Sequence, residues 1–329
     1  MRKGKRFTMH ALEAIGGFRL LRWLNRYKTQ ILMYHRVLDI PAVRGISPEL
    51  FEQQLAYISQ HFRVVPVQAL LAELQSNQYH PNTLSLTFDD GHYDFYENAW
   101  PLLKKYKLPA TLYITTGFVD KQCWLWPDLI KYLLLNSKES NLELSPLGNL
   151  QLDANTINSS WNRIGDYCLT LDVAERNQLI EQLAKATKVV IPQQPSIPFS
   201  AVTWEQLREM HADGLDIASH TFSHPLLNRL NSTDLNYELE HSATMIKQHL
   251  NIATTGICYP NGRPEDINLD VIHAAQATGY SYGLLARNFP HKASQPFLLG
   301  RLSTNQDLTY FKWSLSRHKS ESENIPFHY

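Results

Sequence analysis

The sequence predicts an α/β fold: a (β/α) barrel of alternating strands and helices, interrupted by a largely helical insertion. Three observations predict it. Short apolar runs alternate with helical periods along most of the 329 residues, reactive residues stand at the ends of three of those runs, and the stretch 121–200 departs from the alternation. Repeated strand and helix units imply parallel pairing through helical crossovers, and a parallel barrel gathers its reactive groups at the C-terminal ends of its strands.

The elements follow in order. Gln30-Ile-Leu-Met-Tyr-His35 reads as a buried strand. Ser47 offers an N-cap with Pro48 at the first helical position, and Phe51, Leu55 and Ile58 fall on one helical face. Residues 84–88 form the next strand, followed by a helix through Tyr96, Trp100 and Leu103 and a strand over 110–115. The interruption at 121–200 is far longer than an ordinary βα loop and is expected as an insertion or lid. Trp124, Trp126, Leu129, Tyr132, Leu133 and Leu134 suit a helix there, and the proline-rich 191–198 suits a linker. The tryptophans either stack on sugar rings or, the preferred reading, fill a core. Thr203 with Gln206 then makes a capping box for a helix ending near Gly214, and 215–218 is a strand. A helix through Leu235, Leu239, Met245 and Leu250 leads to a strand over 255–259. A helix over 268–278 and a strand over 280–285 complete the alternation.

Composition narrows the function. Thirty-one Lys+Arg balance thirty-one Asp+Glu, so no net basic field collects nucleic acid. Three scattered cysteines, Cys123, Cys168 and Cys258, make no Cys-x-x-Cys pair and favour a reducing compartment. No run of eighteen apolar residues predicts a membrane-spanning helix. Residues 1–28 carry eight basic side chains (Arg2, Lys3, Lys5, Arg6, Arg19, Arg22, Arg26, Lys28) and one acid, Glu13. Leu12, Ile15, Leu20, Leu21 and Leu24 are interrupted by charge, so the segment reads as a basic amphipathic helix rather than a cleavable signal. Such a helix either lies on an anionic membrane surface or packs on the domain. The organisation expected is a helix over 1–28, a barrel over 29–316 interrupted at 121–200, and a polar tail over 317–329.

Three strand ends carry the chemistry. Thr87-Phe-Asp-Asp-Gly91 alone is a turn signal; adjacent Asp89 and Asp90 face one point only if the strand breaks, which Gly91 permits. In Ala218-Ser-His220-Thr-Phe-Ser-His224-Pro225 two histidines four apart share a face if the segment turns helically, a spacing suited to one cation. Cys258-Tyr-Pro-Asn-Gly-Arg263 is by itself a strand followed by a turn.

Together, Thr-Phe-Asp-Asp-Gly and His-Thr-x-x-His-Pro after a further strand strongly resemble the polysaccharide deacetylases, the NodB-homology carbohydrate esterases. The resemblance covers most of the chain outside the insertion and both termini. It implies a distorted (β/α) barrel, usually seven-stranded, and a divalent cation held by one Asp and two His. Carried over by motif, Asp89 is the general base, and Asp90, His220 and His224 are the metal ligands, for Zn²⁺ by preference over Co²⁺, Mn²⁺ or Ni²⁺. Three such ligands leave positions open for water and a substrate oxygen.

The chain departs from the family pattern twice. The family's third motif, Arg-Pro-Pro-Tyr, here has Cys258 at the Arg position and Asn261 at the Tyr position. Asn261 still offers a backbone N–H to an oxyanion, with Tyr259 in the same substrate-binding motif. The lost guanidinium must be replaced, and Arg301, after the apolar run 297–300, either holds Asp89 or is a surface or structural arginine. The family's late Leu-x-x-His matches Leu315-Ser-Arg-His318 only in letters, because the context is tail-like; His35, closing its strand, is preferred as the general acid. The early Tyr-His and the Tyr-Pro-x-Gly element resemble the exopolysaccharide N-deacetylases most. His211, His241 and His249 lie on helical stretches as surface or packing residues.

The expectation is therefore a metal-dependent hydrolase that removes N-acetyl groups from amino sugars of a bacterial surface polysaccharide or its lipid-linked precursor. It is placed in the bacterial cytoplasm, with peripheral contact to the inner membrane through 1–28 as one reading of that helix. A deacylase or deformylase acting on another acylated sugar, or an inactive glycan-binding module, are the alternatives. A glycosidase fits worse, since its two carboxylates stand roughly 5–10 Å apart across a sugar.

Overall fold

The computed structural model describes residues 3–41 and 43–317. His318 and the polar tail beyond Arg317 lie outside the described residues, as do Met1 and Arg2. Where the pattern of 1–28 predicts one helix there are two, α1 (Lys3–Ala14) and α2 (Gly17–Leu24). Gly16 separates them at φ 79°, a left-handed geometry that ends a helix and suits a residue without Cβ.

β1 (Gln30–Tyr34) is buried throughout, as a strand covered on both faces must be. Ser47 caps α3 (Pro48–His61) by accepting the Leu50 N–H. Two elements without a clear sequence signal follow, β2 (Arg63–Val64) and α4 (Val67–Ser76). β3 (Thr83–Phe88), a π-helical turn Phe95–Ala99 running into α5 (Trp100–Tyr106), β4 (Thr111–Ile114) and the short α6 (Thr116–Val119) complete the first half.

The insertion is largely helical, with α7 (Trp126–Leu135), α8 (Ile157–Cys168) and α9 (Val173–Thr187), but it also holds an antiparallel hairpin, β5 (Asn141–Leu144) with β6 (Gly148–Gln151). Ile130, Leu134, Leu142, Leu150, Ile164 and Leu183 give it a core of its own. Trp124 packs against Tyr132 and Phe199 and donates to the Pro192 carbonyl, so the 191–198 segment is tied down rather than free.

The alternation resumes with α10 (Trp204–Ala212), opened by the Thr203/Gln206 capping box. Then come β7 (Asp216–Ser219), α11 (Ser232–Leu250), β8 (Gly256–Cys258), α12 (Leu269–Thr278), β9 (Tyr282–Leu284), β10 (Leu302–Ser303) and α13 (Leu308–Arg317).

Seven parallel strands run in the order β10, β1, β3, β4, β7, β8, β9, with β2 also alongside β3. The chain just before β10 hydrogen-bonds to β9 (Leu299 N–H to the Gly283 carbonyl, 3.0 Å), while β10 itself pairs with β1 at Leu302 and Leu32. The last strand thus touches both ends of the curled sheet, which is how a seven-stranded distorted barrel draws its strand ends together. Outside, Leu32, Leu86, Leu112 and Ile217 join Phe51, Leu55, Leu103 and Leu207 of the covering helices. Each such side chain contributes about 1.5–3 kcal/mol by leaving water. Under the strand ends, Tyr34 stacks on Phe88 at 5.0 Å and Phe88 meets Phe95 edge-on at 4.8 Å, a rigid floor for the residues that follow.

Candidate active site

The break that brings Asp89 and Asp90 to one point lies at Asp90 itself as well as at Gly91, with φ of 76° and 88°. The strand motif expects only the glycine to turn; instead a non-glycine residue takes the left-handed conformation, as strained residues do at functional sites. Asp89 N–H donates to the Tyr34 carbonyl, and Thr115 N–H to the Asp90 carbonyl, so β1 and β4 grip the turn from either side.

Arg301 is buried, at 1% exposure, and all five of its N–H groups have acceptors. Nη1 and Nη2 clasp the two Asp89 oxygens at 2.7 and 2.8 Å, Nη1 also reaches Thr87 Oγ1, Nη2 reaches Cys258 Sγ at 3.0 Å, and Nε reaches the Leu285 carbonyl. Of the two readings of Arg301, the clasp on Asp89 is the one observed. Cys258, at the position where the family pattern has arginine, is the small residue against which the guanidinium from the β10 side lies. Burial alone would raise the Asp89 pKa, but the guanidinium holds it well below the usual carboxylate range.

Asp90, His220 and His224 converge. Asp90 Oδ1 lies 3.5 Å from His220 Nε2 and 3.7 Å from His224 Nε2. The helical turn expected for the two histidines is absent: Thr221 and His224 are left-handed, with φ of 70° and 61°, and the segment is a tight loop. Glu238 of α11 holds it, its Oε2 accepting the Phe222 and Ser223 N–H groups. Gly117 at the start of α6 lets the loop close in; a Cβ there would stand 2.7 Å from the Phe222 carbonyl oxygen.

The donor chemistry of this trio fits a cation. Asp90 stays ionised: burial works against that, but the histidines around it lower its pKa. His220 Nδ1 pairs with the Cys258 carbonyl at 2.7 Å, an arrangement that needs the proton on Nδ1 and leaves the Nε2 lone pair toward Asp90. Burial first, and His220 second, push the His224 pKa down to about 3, so its imidazole is neutral, and its Nδ1 is buried with no partner among the described residues. Asp89, His220 and Cys258 form a second cluster of metal-type ligands, but it does not suit an ion. Asp89 is committed to Arg301, and burial pushes the Cys258 thiol far up, so it stays protonated.

His35 stands at the same mouth, half exposed, its Nε2 3.7 Å from Asp89 Oδ2. The loop behind it is clamped by Asp94, which accepts from Arg36 Nε and from Val37 N–H at 2.7 Å each, and Arg36 also bonds the Pro198 carbonyl. Asn261 is left-handed at φ 60°, and its side chain is tied to Asp266, so what it presents is its main chain. Tyr259 turns its ring into a hydrophobic cluster with Ile257 and Val271, its hydroxyl on the Phe297 carbonyl. Its ring thus packs in the core beneath the motif, while the residue also borders the cleft.

The sequence reading missed His92 and Asp128. His92 is buried; its Nδ1 lies 3.7 Å from Asp90 Oδ2, and its Nε2 is 2.6 Å from Asp128 Oδ2 on α7 of the insertion. Only contacts across a long sequence separation reveal this link. The far end of the insertion is stitched to the same loop, with Tyr93 N–H on the Ser200 carbonyl and Val202 N–H on the Gly91 carbonyl. Between barrel mouth and insertion lies a cleft of about 760 Å³, lined by His35, Asp89, Asp90, His220, His224 and Asn261 on one side and by Trp126, Lys131 and Trp161 on the other.

Fold and site define an α/β barrel with a clasped carboxylate and an Asp-His-His cluster that could hold a metal ion at the C-terminal ends of its strands. The sequence profile described as "Polysaccharide deacetylase" matches residues 76–140 and 169–283, and the chain belongs to that family. Among relatives, YxkH of Bacillus subtilis (strain 168), which carries the same family name, is 24% identical over 259 residues, 78% of this chain and 64% of that protein. A poly-beta-1,6-N-acetyl-D-glucosamine N-deacetylase of Staphylococcus aureus (strain MSSA476) is 30% identical over 113 residues, 34% of this chain and 37% of that protein. The chain thus spans less than two thirds of either relative. Two solved structures share the fold: the deacetylase PplD of Streptococcus pyogenes (TM-score 0.58, 21% identity, 86% of this chain and 94% of that one) and IcaB from Ammonifex degensii (0.57, 20%, 88% and 97%).

Proposed function

We propose that this chain is a metal-dependent amidohydrolase that converts N-acetylated amino sugars of a surface glycan, with water, to the free amine and acetate. The observation that carries this reading is the pairing of a buried, fully clasped carboxylate, Asp89, with the adjoining ligand set Asp90, His220 and His224. A pure binding site has no use for the second carboxylate. A divalent cation held by those three residues would supply Lewis acidity for the acyl carbonyl and a lowered pKa for water. Asp89, ionised and immobile, accepts the proton of the attacking water. The Asn261 N–H donates to the oxyanion, and His35 delivers a proton to the departing nitrogen. The test is acetate release by the metal-loaded protein from a panel of N-acetylated oligosaccharides. Release from at least one, abolished by chelation, is expected; no release from any of them would leave the site a glycan-binding module.

Two predictions attach to this reading. An amine leaves a tetrahedral intermediate far more readily once protonated, whereas an aryloxide does not need that proton. His35→Ala is therefore expected to lose about 10²–10⁴-fold in kcat on an N-acetyl sugar and far less on an aryl acetate. Equal losses on both substrates would give His35 a positioning role. Asp128→Ala, which frees His92 to turn away from Asp90, is expected to weaken cation affinity about 10–100-fold, as loss of a ligand-orienting partner does. A competition titration with a chromophoric chelator reads this directly, and unchanged affinity would reject the link.

The N-terminal helices support contact with an anionic membrane surface. Ile15, Leu20, Trp23, Leu24 and Tyr27 are more than half exposed, with Arg19 and Lys28 among them. The Arg26 carbonyl accepts the Asn82 N–H ahead of β3, so the Arg26 end of this patch lies near the starts of the strands, away from the cleft, while its Glu13 end is held to α13 by Lys312. A protein resting on it holds its mouth away from the lipid, which suits a glycan chain better than a sugar joined directly to lipid.

A further inference from the structure

Lys131 of α7 lines the cleft at only 3% exposure. Its Nζ donates to Asn158 Oδ1 at 2.7 Å and lies 4.7 Å from the centre of the Trp161 ring, but no carboxylate lies within salt-bridge distance of it among the described residues. An ammonium has three N–H groups, and Asn158 takes one. Arg44 lies over the same Trp161 at 5.0 Å, with Nη2 on Asn162 Oδ1, likewise with a neutral partner. Two cations thus flank one tryptophan, and each works against the other: burial first, and Arg44 second, bring the Lys131 pKa down to about 8. Of the acids that face them, Asp128 favours the charged form of Lys131 from a distance, but neither acid forms an ion pair with either cation among the described residues. Asp128, one turn before Lys131 on α7, is spent on His92, and the exposed Asp166 at the rim stands beyond ion-pair distance of both. A desolvated cation without a counter-charge is costly unless something supplies one, and the open side of this pair is the substrate cleft.

We propose that Lys131 and Arg44, with Trp161 between them, form an anion subsite, so that the glycan taken by this enzyme bears a carboxylate or phosphate that lies along the cleft from the N-acetyl group being removed. This rests on the deacetylase reading of the neighbouring site, which shares the cleft. Asp128 reaches the Asp90 side of the cleft through His92, and Lys131 lies one helical turn beyond Asp128 on α7, so the cationic pair lies further along the cleft than Asp90, His220 and His224. Trp161 holds the two cations in place, and the insertion thereby acts as the specificity element of the enzyme.

The test is binding to the metal-free protein, followed by intrinsic tryptophan fluorescence, so that it stands whether or not acetate is ever released. Three probes are compared: N,N′-diacetylchitobiose, a disaccharide of N-acetylglucosamine and glucuronic acid, and N-acetylglucosamine 1-phosphate. At least one acidic probe is expected to bind about tenfold or more tighter than the neutral one, as a charge-assisted contact implies. Which acidic probe binds separates a uronic acid from a sugar phosphate as the source. Arg44→Gln, at an exposed position, and Lys131→Met, which keeps the buried stem, should each bring that preference down toward unity. Equal binding of all three probes, or a preference that survives both substitutions, would overturn the proposal. Failure of the deacetylase reading shows separately, as bound acidic probe without acetate release from the metal-loaded enzyme.

Discussion

Asp89→Asn is expected to keep the full complement of bound cation and to lose about 10²–10⁴-fold in kcat, because an amide cannot take the proton of the attacking water. The geometry makes this substitution informative. Asp89 is held by two guanidinium bonds and lies beside the Asp90, His220 and His224 set without belonging to it. Binding and chemistry should therefore separate: metal affinity unchanged, KM little changed, kcat collapsed. An Asp89→Asn enzyme within a few-fold of wild type would remove the general base from the mechanism.

The second large effect is on stability. Arg301→Met leaves the Asp89 carboxylate buried with no counter-charge, and breaking a buried pair from one side typically costs about 3–5 kcal/mol. The sign of the pH dependence follows. In the wild type the folded-state pKa of Asp89 is depressed, so the pair contributes stability above the unfolded carboxyl pKa and loses it as pH falls through the lower folded value. In Arg301→Met the two largest contributions opposing burial are gone, leaving only His35 and His220 against it, and that pKa is expected to rise above its unfolded value. The variant's deficit should then be smallest in acid and grow as pH rises through the raised pKa. Asp89→Asn combined with Arg301→Met, with no charge left to bury, is expected to recover part of the loss in urea denaturation. If Arg301→Met unfolds at the wild-type midpoint from pH 5 to 8, the clasp carries no stability.

Most of the barrel is legible in the sequence, because apolar runs such as 30–34 and 83–88 are buried on both faces and leave little alternative to a parallel strand. Ser47 and Thr203 announce their helices by chemistry that needs no tertiary partner. What stays hidden depends on contacts between distant residues. β10 is two residues long and exists because the chain there meets both β9 and β1. The β5–β6 hairpin alternates only within the small core of the insertion. At the site, the Asp-Asp-Gly and His-x-x-x-His motifs name their residues, but not the left-handed Asp90 or the non-helical histidine loop. Arg301 can be suspected from the missing family arginine, and the structure adds the reason: the small Cys258 stands against its guanidinium. His92–Asp128 joins residues 36 positions apart and has no motif. Tyr259 is a motif residue whose ring also serves the core, which the motif alone does not tell.

The account turns on one cation bound by Asp90, His220 and His224, and the most direct measurement is a Zn²⁺ titration of the metal-free protein. Bound metal and acetate release are read in the same samples, for the wild type and for His224→Ala. Activity is expected to rise in proportion to bound metal and saturate at one ion per chain, with His224→Ala needing far more Zn²⁺ for the same occupancy. Acetate release at full rate without metal, or unaltered stoichiometry and affinity in His224→Ala, would contradict it.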